Sequence, residues 1–158
     1  MKTLIIYGTK HGTTEKCSKF LKDKITGEVV AINIKNEKIP EIAHFDNIII
    51  GSSIYMGQIQ KEIKNFYIKN FNKLKEKRIG LFICAMNEKD IELQLNNAFG
   101  SELANRAIVK KCFGGAFSFK NMKFFEKFIV KKIAKTDKDI ENISEESINE
   151  FAKIINNK

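Results

Sequence analysis

The chain is poor in the residues that punctuate or cross-link small folds. It has one proline, nine glycines and three cysteines in 158 residues. That composition excludes collagen-like and proline-rich classes. Cys17, Cys84 and Cys112 stand far apart with no CxxC spacing, so neither a disulfide framework nor a zinc site is expected, and the thiols are expected to be reduced. No apolar run approaches the roughly 20 residues of a membrane span. The opening MKTLIIYGTK has an apolar run too short for a secretion signal and no small-residue cleavage site, so a cytoplasmic location is expected. His11 and His44 are the only histidines, and no acid stands in a triad-like context with a Ser or Cys, which argues against hydrolysis and acyl transfer. What remains is 43% hydrophobic and 30% charged residues, an ordinary globular composition. The length suits one domain, 1–158, with a real core.

Charge is abundant but unevenly placed. The net charge is +9. Residues 106–135 carry Arg106, Lys110, Lys111, Lys120, Lys123, Lys127, Lys131, Lys132 and Lys135 against Glu126 alone. Residues 136–158 carry more acids than bases. A basic excess permits nucleic-acid binding. However, there is no zinc-finger spacing, no aromatic RNP-type motif and no basic tail, so no nucleic acid is expected as a partner.

Short apolar runs alternate with amphipathic stretches, the pattern of a parallel sheet covered by helices. Strands are expected at Thr3–Tyr7, Glu28–Ile34, Asn47–Ile50, Arg78–Ala85 and Lys111–Phe117. Helices are expected from Thr14 to about Lys24, at Gln60–Leu74, at Asp90–Asn105 with Asp90 as N-cap, and at Ser144–Asn156 with Ser144 as N-cap. About 25 residues separate the fifth strand from the last helix, more than a connection needs. Within them Asn121–Lys135 reads as a basic amphipathic helix, with Met122, Phe124, Phe125, Phe128, Ile129 and Ile133 over half its circumference. The favoured expectation packs that Phe face on the sheet with the lysines outward. Basic amphipathic helices also bind membrane surfaces.

Three loops carry the candidate chemistry. Gly8-Thr9-Lys10-His11-Gly12-Thr13-Thr14 lies between a buried strand and a helix. It matches neither GxxxxGK[ST] nor GxGxxG, yet it sets hydroxyls and backbone N–H groups at a helix N-terminus, where a phosphate is stabilised. A helix simply capped by Thr13 is the alternative reading. The third strand ends in Gly51-Ser52-Ser53-Ile54-Tyr55-Met56-Gly57-Gln58 and the fourth in Cys84-Ala85-Met86-Asn87. In open α/β sheets ligands sit beyond the carboxyl ends of such strands, at the topological switch point. An aromatic and apolar side chains beside a phosphate turn suit a planar ring bearing one phosphate, and so FMN rather than a dinucleotide.

At TLIIYGTKHGTT and IIIGSSIYMG the chain resembles the flavodoxin fold. More narrowly, with GGAFSFKNMKFFEKFIVKKIAK placed after the fifth strand, it is similar to the FMN-dependent, oxygen-independent (menaquinone-dependent) protoporphyrinogen oxidases of bacteria and their flavodoxin-domain relatives. The phosphate loop departs from the flavodoxin S/T-x-T-G-N-T pattern, with His11 before Gly12 and Thr13 in place of Asn. The resemblance implies a flavodoxin-like three-layer α/β sandwich, with a five-stranded parallel sheet of order 2-1-3-4-5 and a basic helical insert between strand five and the last helix. By position, Thr9, Lys10, His11, Gly12, Thr13 and Thr14 would hold the FMN phosphate. Ser52, Ser53, Ile54, Tyr55, Met56 and Gly57, with Ala85, Met86 and Asn87, would line the isoalloxazine ring.

The function so implied is oxidation of a porphyrinogen-type substrate, with electrons passed through FMN to a quinone. The alternative is a flavodoxin-type electron carrier that docks to an acidic redox-partner protein. No catalytic side chain and no metal are expected, because the cofactor supplies the redox chemistry. The basic insert from Lys120 to Lys135 is expected to touch the inner face of the membrane, at about 1 kcal/mol per lysine near an anionic surface.

Overall fold

The protein is described here by a computed structural model, over residues 1–86, 89–117, 123–134 and 139–157. Its sheet is built from the apolar runs: β1 (Lys2–Gly8), β2 (Glu28–Asn33), β3 (Asn47–Ser53), β4 (Arg78–Cys84) and β5 (Val109–Cys112). All neighbours are parallel, in the order β2-β1-β3-β4-β5. Strand side chains alternate between faces, so a strand apolar at every position serves two cores. Leu4, Ile6, Ile48, Ile50, Leu81 and Ile83 point to one, and Ile5, Tyr7, Ile49, Phe82 and Cys84 to the other. Each fully buried Ile, Leu or Phe contributes about 1.5–3 kcal/mol.

The first core is closed by α2 (Lys61–Leu74), α3 (Ile91–Phe99) and α4 (Ser101–Arg106), through Ile63, Phe66, Leu74, Leu95, Phe99 and Leu103. The second is closed by α1 (Thr13–Lys24) and α6 (Glu145–Asn156), through Cys17, Leu21, Ile148, Phe151 and Ile155. Its centre is aromatic. Phe82 stacks on Phe113 with centroids 4.5 Å apart, and Phe151 meets both rings edge-on at 6.2 and 5.4 Å. Gly51 makes room for this cluster, since a Cβ there would fall 2.0 Å from the Phe82 ring.

Several element boundaries differ from expectation. Gly100 divides the helix expected over Asp90–Asn105 into two, because its backbone (φ 74°, ψ 145°) is not helical. Asp90 precedes α3 in a left-handed conformation and makes no side-chain cap. Gly12 (φ 90°), rather than Thr13, is the residue before α1. Ser144 does cap α6, accepting from the Ser147 N–H.

The fifth strand expected over Lys111–Phe117 is two strands. After β5, Phe113 is fully buried, and the chain then leaves the sheet as β6 (Gly114–Phe117) to pair antiparallel with β7 (Ile140–Ile143). Gly114 makes this exit possible, because its φ is +77° and a Cβ would fall 1.9 Å from the Asn142 carbonyl oxygen. Between these strands lies α5 (Phe124–Ala134). Lys120 at the start of the expected insert, and Asn121, Met122 and Lys135 of the expected insert helix, lie outside the described residues.

The orientation of α5 is the larger correction. Phe124, Phe125 and Phe128 do not pack on the sheet; they are 90%, 70% and 65% exposed. Among the described side chains of α5 the buried one is Glu126, the one acid of the basic segment. Among the described residues no helix is long and apolar enough to cross a membrane.

Candidate functional site

Strand register brings the three loops together. Gly8 pairs with Ser52, and Ser53 with Cys84, so β1, β3 and β4 end at one level. Beyond β1, the Gly12 N–H donates to Thr9 Oγ1 at 2.9 Å, closing the turn that starts α1. Gly12 leaves open space, with nothing within 4 Å of where a Cβ would lie. Thr14 is fully buried behind it; its Oγ1 lies toward the Cys84 thiol, whose pKa it lowers, and has no close hydrogen-bond partner among the described residues. His11 Nε2 is likewise buried without one. Burial holds the His11 pKa below its ordinary value, against the pull of Glu126, so the ring is neutral near pH 7.

The loop after β3 is braced from beneath. Ser52 Oγ accepts from the Gln60 N–H at 3.0 Å and donates to the Ser53 carbonyl at 3.2 Å. Its hydroxyl is committed to the loop. Ser53 Oγ accepts from Gln60 Nε2 at 3.2 Å. Tyr55 and Gln58 exchange both backbone bonds across a tight turn whose corners, Met56 and Gly57, have φ of 50° and 76°. The Ile54 N–H donates to the Cys84 carbonyl, and the Ala85 N–H to the Gly114 carbonyl, both at 2.9 Å.

Two adjoining cavities result. A narrow one of about 60 Å³ is lined by Thr9, Lys10, His11, Thr13, Ser53, Ile54, Tyr55, Ala85 and Met86, together with Cys84, Gly115 and Ala116. A wider one of about 480 Å³ is lined by Ile54, Met56, Gly57, Ala85, Met86 and residues of α3 including Leu93 and Gln94. The narrow cavity is far below the roughly 300–1,000 Å³ of typical ligand sites. Lys10 spans it: its Nζ lies 3.2 Å from the Tyr55 ring centroid and 2.5 Å from Glu126 Oε1. Asn87 lies outside the described residues.

Three participants were not expected from sequence. Gly115 and Ala116 form a wall, with Gly115 so close to Met86 that a Cβ would meet its Sδ at 2.8 Å. Thr13 Oγ1 donates to the Ala116 carbonyl at 3.3 Å, joining the start of α1 to β6. Glu126 covers the loop from above, its Oε2 3.9 Å from His11 Nε2 and accepting from the Lys123 N–H at 3.1 Å. The hydrogen bond from Lys10 holds its pKa below the ordinary carboxylate value. The carboxylate is closely covered by these neighbours, though it lies near the molecular surface. A glycine, an alanine and a lone acid in a lysine-rich stretch carry no local signal of such a place.

Cys84 is also buried at the cavity floor. The Cys17 thiol beside it, together with burial, pushes its pKa well up, so it is an inert thiol at neutral pH. All three cysteines are unbridged. Among the described residues no group of three His, Cys, Asp or Glu side chains is placed to hold a metal ion.

A family described as a flavodoxin domain matches residues 4–144. The chain belongs to the flavodoxin-domain family. Its fold agrees with solved flavodoxins. One from Streptococcus pneumonia aligns with a TM-score of 0.59 at 15% identity, covering 98% of this chain and 97% of that one. A flavodoxin from the domain Archaea aligns with a TM-score of 0.58 at 11% identity, covering 99% and 94%. Rubredoxin oxygen:oxidoreductase of Desulfovibrio gigas aligns with a TM-score of 0.57 at 11% identity, and here the chain spans 34% of the larger protein. No curated protein sequence matches significantly.

FMN is the cofactor of this flavodoxin domain, and the site fits it. A buried orphan hydroxyl (Thr14), an open glycine corner (Gly12) and a loop cation (Lys10) suit a phosphate. Tyr55, Ile54, Ala85 and Met86 offer apolar walls to a planar ring.

Proposed function

We propose that this flavodoxin domain is an FMN-dependent oxidoreductase that works at an anionic membrane surface, passing electrons from a porphyrinogen-type substrate to a quinone. The observation that carries this reading is the outer face of α5. There Phe124, Phe125 and Phe128 stand exposed beside the exposed Lys131 and Lys132. Aromatic rings that enter the headgroup region and lysines that meet anionic lipid are the two components of interfacial binding. The charge is available because the strand-borne lysines are already paired, Lys110 with Glu92 and Lys111 with Glu150, whereas Lys123, Lys127, Lys131 and Lys132 have no ion pair among the described residues. Substrate and acceptor classes follow from the family resemblance of this insert.

Bound FMN would supply reversible two-electron chemistry. Thr14, Gly12 and Lys10 would fix its phosphate, and Tyr55, Met56 and Met86 would shield the ring from water. Each turnover removes two electrons and two protons from the porphyrinogen and delivers them to the quinone, giving a quinol. Three turnovers convert one porphyrinogen to porphyrin. The lysines of α5 would also attract the propionate groups of such a substrate.

The test is anaerobic turnover of protoporphyrinogen by FMN-loaded protein on anionic vesicles containing a menaquinone analogue. Porphyrin fluorescence should rise with quinol in a ratio of about one to three, as that electron count requires. FMN binding and reduction without porphyrin formation would favour the second reading, an electron carrier whose lysine face docks to an acidic redox partner.

A further inference from the structure

We infer that Glu126 is an in-chain competitor for the flavin phosphate, so that loading of the cofactor and seating of the insert helix oppose each other. The inference rests on the flavin site proposed above. Between residues 106 and 135 Glu126 is the single acid, and it is 8% exposed on a helix whose neighbouring phenylalanines face solvent. A glutamate in the first turn that accepts from the N–H of the residue before its helix makes half a capping box, and Glu126 does this through Oε2 and the Lys123 N–H. A capping role needs nothing more. Yet the other oxygen, Oε1, reaches out of the insert to Lys10 Nζ at 2.5 Å.

Lys10 is the one permanent cation among residues 9–14, since burial keeps His11 neutral. Its ammonium already touches the Tyr55 ring and the Glu126 carboxylate. A phosphate on the same loop would place a second, more highly charged anion on one cation inside a covered cleft. Like charges at such separations repel strongly where water is excluded. The phosphate also gains the Thr14 hydroxyl and the amides at the start of α1, which a carboxylate anchored on α5 does not engage. The phosphate therefore displaces Glu126, and α5 loses the ion pair that holds it to the phosphate loop. By linkage, whatever seats α5 through Glu126 weakens phosphate binding by the same factor.

The experiment compares flavin-fluorescence titrations of wild type, Glu126→Gln, Lys10→Gln and the double variant, with FMN and with riboflavin, which has no phosphate. Glutamine keeps the capping geometry and removes the charge. We expect Glu126→Gln to bind FMN about tenfold tighter, with riboflavin affinity unchanged, because only the phosphate competes. In the Lys10→Gln background the Glu126→Gln gain should shrink, as a shared cation requires. Trypsin cleavage after the α5 lysines should be accelerated by FMN in wild type, and should be fast without flavin in Glu126→Gln. FMN bound equally or more weakly by Glu126→Gln, or FMN protecting α5 from trypsin, would overturn the inference and leave the flavin site standing. FMN bound by neither protein would overturn both.

Discussion

The sheet and the insert solve opposite packing problems. On the sheet, Phe82 stacks on Phe113 with Phe151 edge-on to both, a buried cluster for which Gly51 makes room, and strands apolar on both faces leave no polar option. In α5, three phenylalanines are exposed, and among its described side chains the buried one is a carboxylate paired with a lysine. Residue type alone therefore does not predict burial. What decides is whether a complementary apolar face remains uncovered, and α1 and α6 already cover that side of the sheet. Contiguous exposed aromatics of this kind are the reason a docking surface is proposed here.

That contrast can be broken by substitution. Phe82→Ala should cost about 3–5 kcal/mol in urea unfolding, the range for large aromatic truncations in a core. Phe125→Ser should stay within about 0.5 kcal/mol, as exposed positions do. Equal losses would mean that α5 packs through its aromatic face after all. Next in size, Thr14→Val should weaken FMN binding by about tenfold or more, the worth of one hydrogen bond to a charged group, with little change for riboflavin. Equal weakening of both flavins would place Thr14 away from the phosphate.

Smaller effects sharpen the picture of the loops. Met56 holds a left-handed φ of 50° at an exposed turn corner. Met56→Gly should relieve that strain and raise stability by up to about 1 kcal/mol in thermal unfolding. Smallest is a pH effect at His11. Its pKa is lowered by burial, so the unfolded chain binds the proton more readily and stability rises with pH until the unfolded-state pKa is passed. Acidification from pH 7 through the ordinary histidine range should thus destabilise wild type more than His11→Gln. The Glu126 pair acts in the same direction at lower pH: its pKa is lowered, so its contribution is present at neutral pH and is lost as pH falls through that lowered value.

Much of the frame was legible because β1, β3 and β4 are unbroken apolar runs ending in small residues, and α2 shows helical spacing. That the three candidate loops converge was legible for the same reason, since the switch point follows from strand order. Gly100 and Gly114 changed the outcome through backbone angles that a single glycine permits and does not announce. β7, four residues reading IENI, is too short and too polar to stand out, and exists because β6 offers an edge. The outward turn of α5 was illegible because an amphipathic pattern gives the apolar face but not its neighbour. Glu126 stands out in the sequence as the lone acid of its segment, but its place was illegible because its partner, Lys10, lies more than a hundred residues away.

The central claim is that the exposed face of α5 is a lipid-docking surface on a flavodoxin domain. Flotation of FMN-loaded protein with anionic and with zwitterionic vesicles tests it most directly, alongside a variant carrying Phe124→Ser, Phe125→Ser and Phe128→Ser. The account predicts that wild type floats with anionic vesicles only, and that the triple variant stays in solution while keeping its bound flavin. Wild type remaining in solution with anionic vesicles, or the triple variant floating equally well, would contradict it.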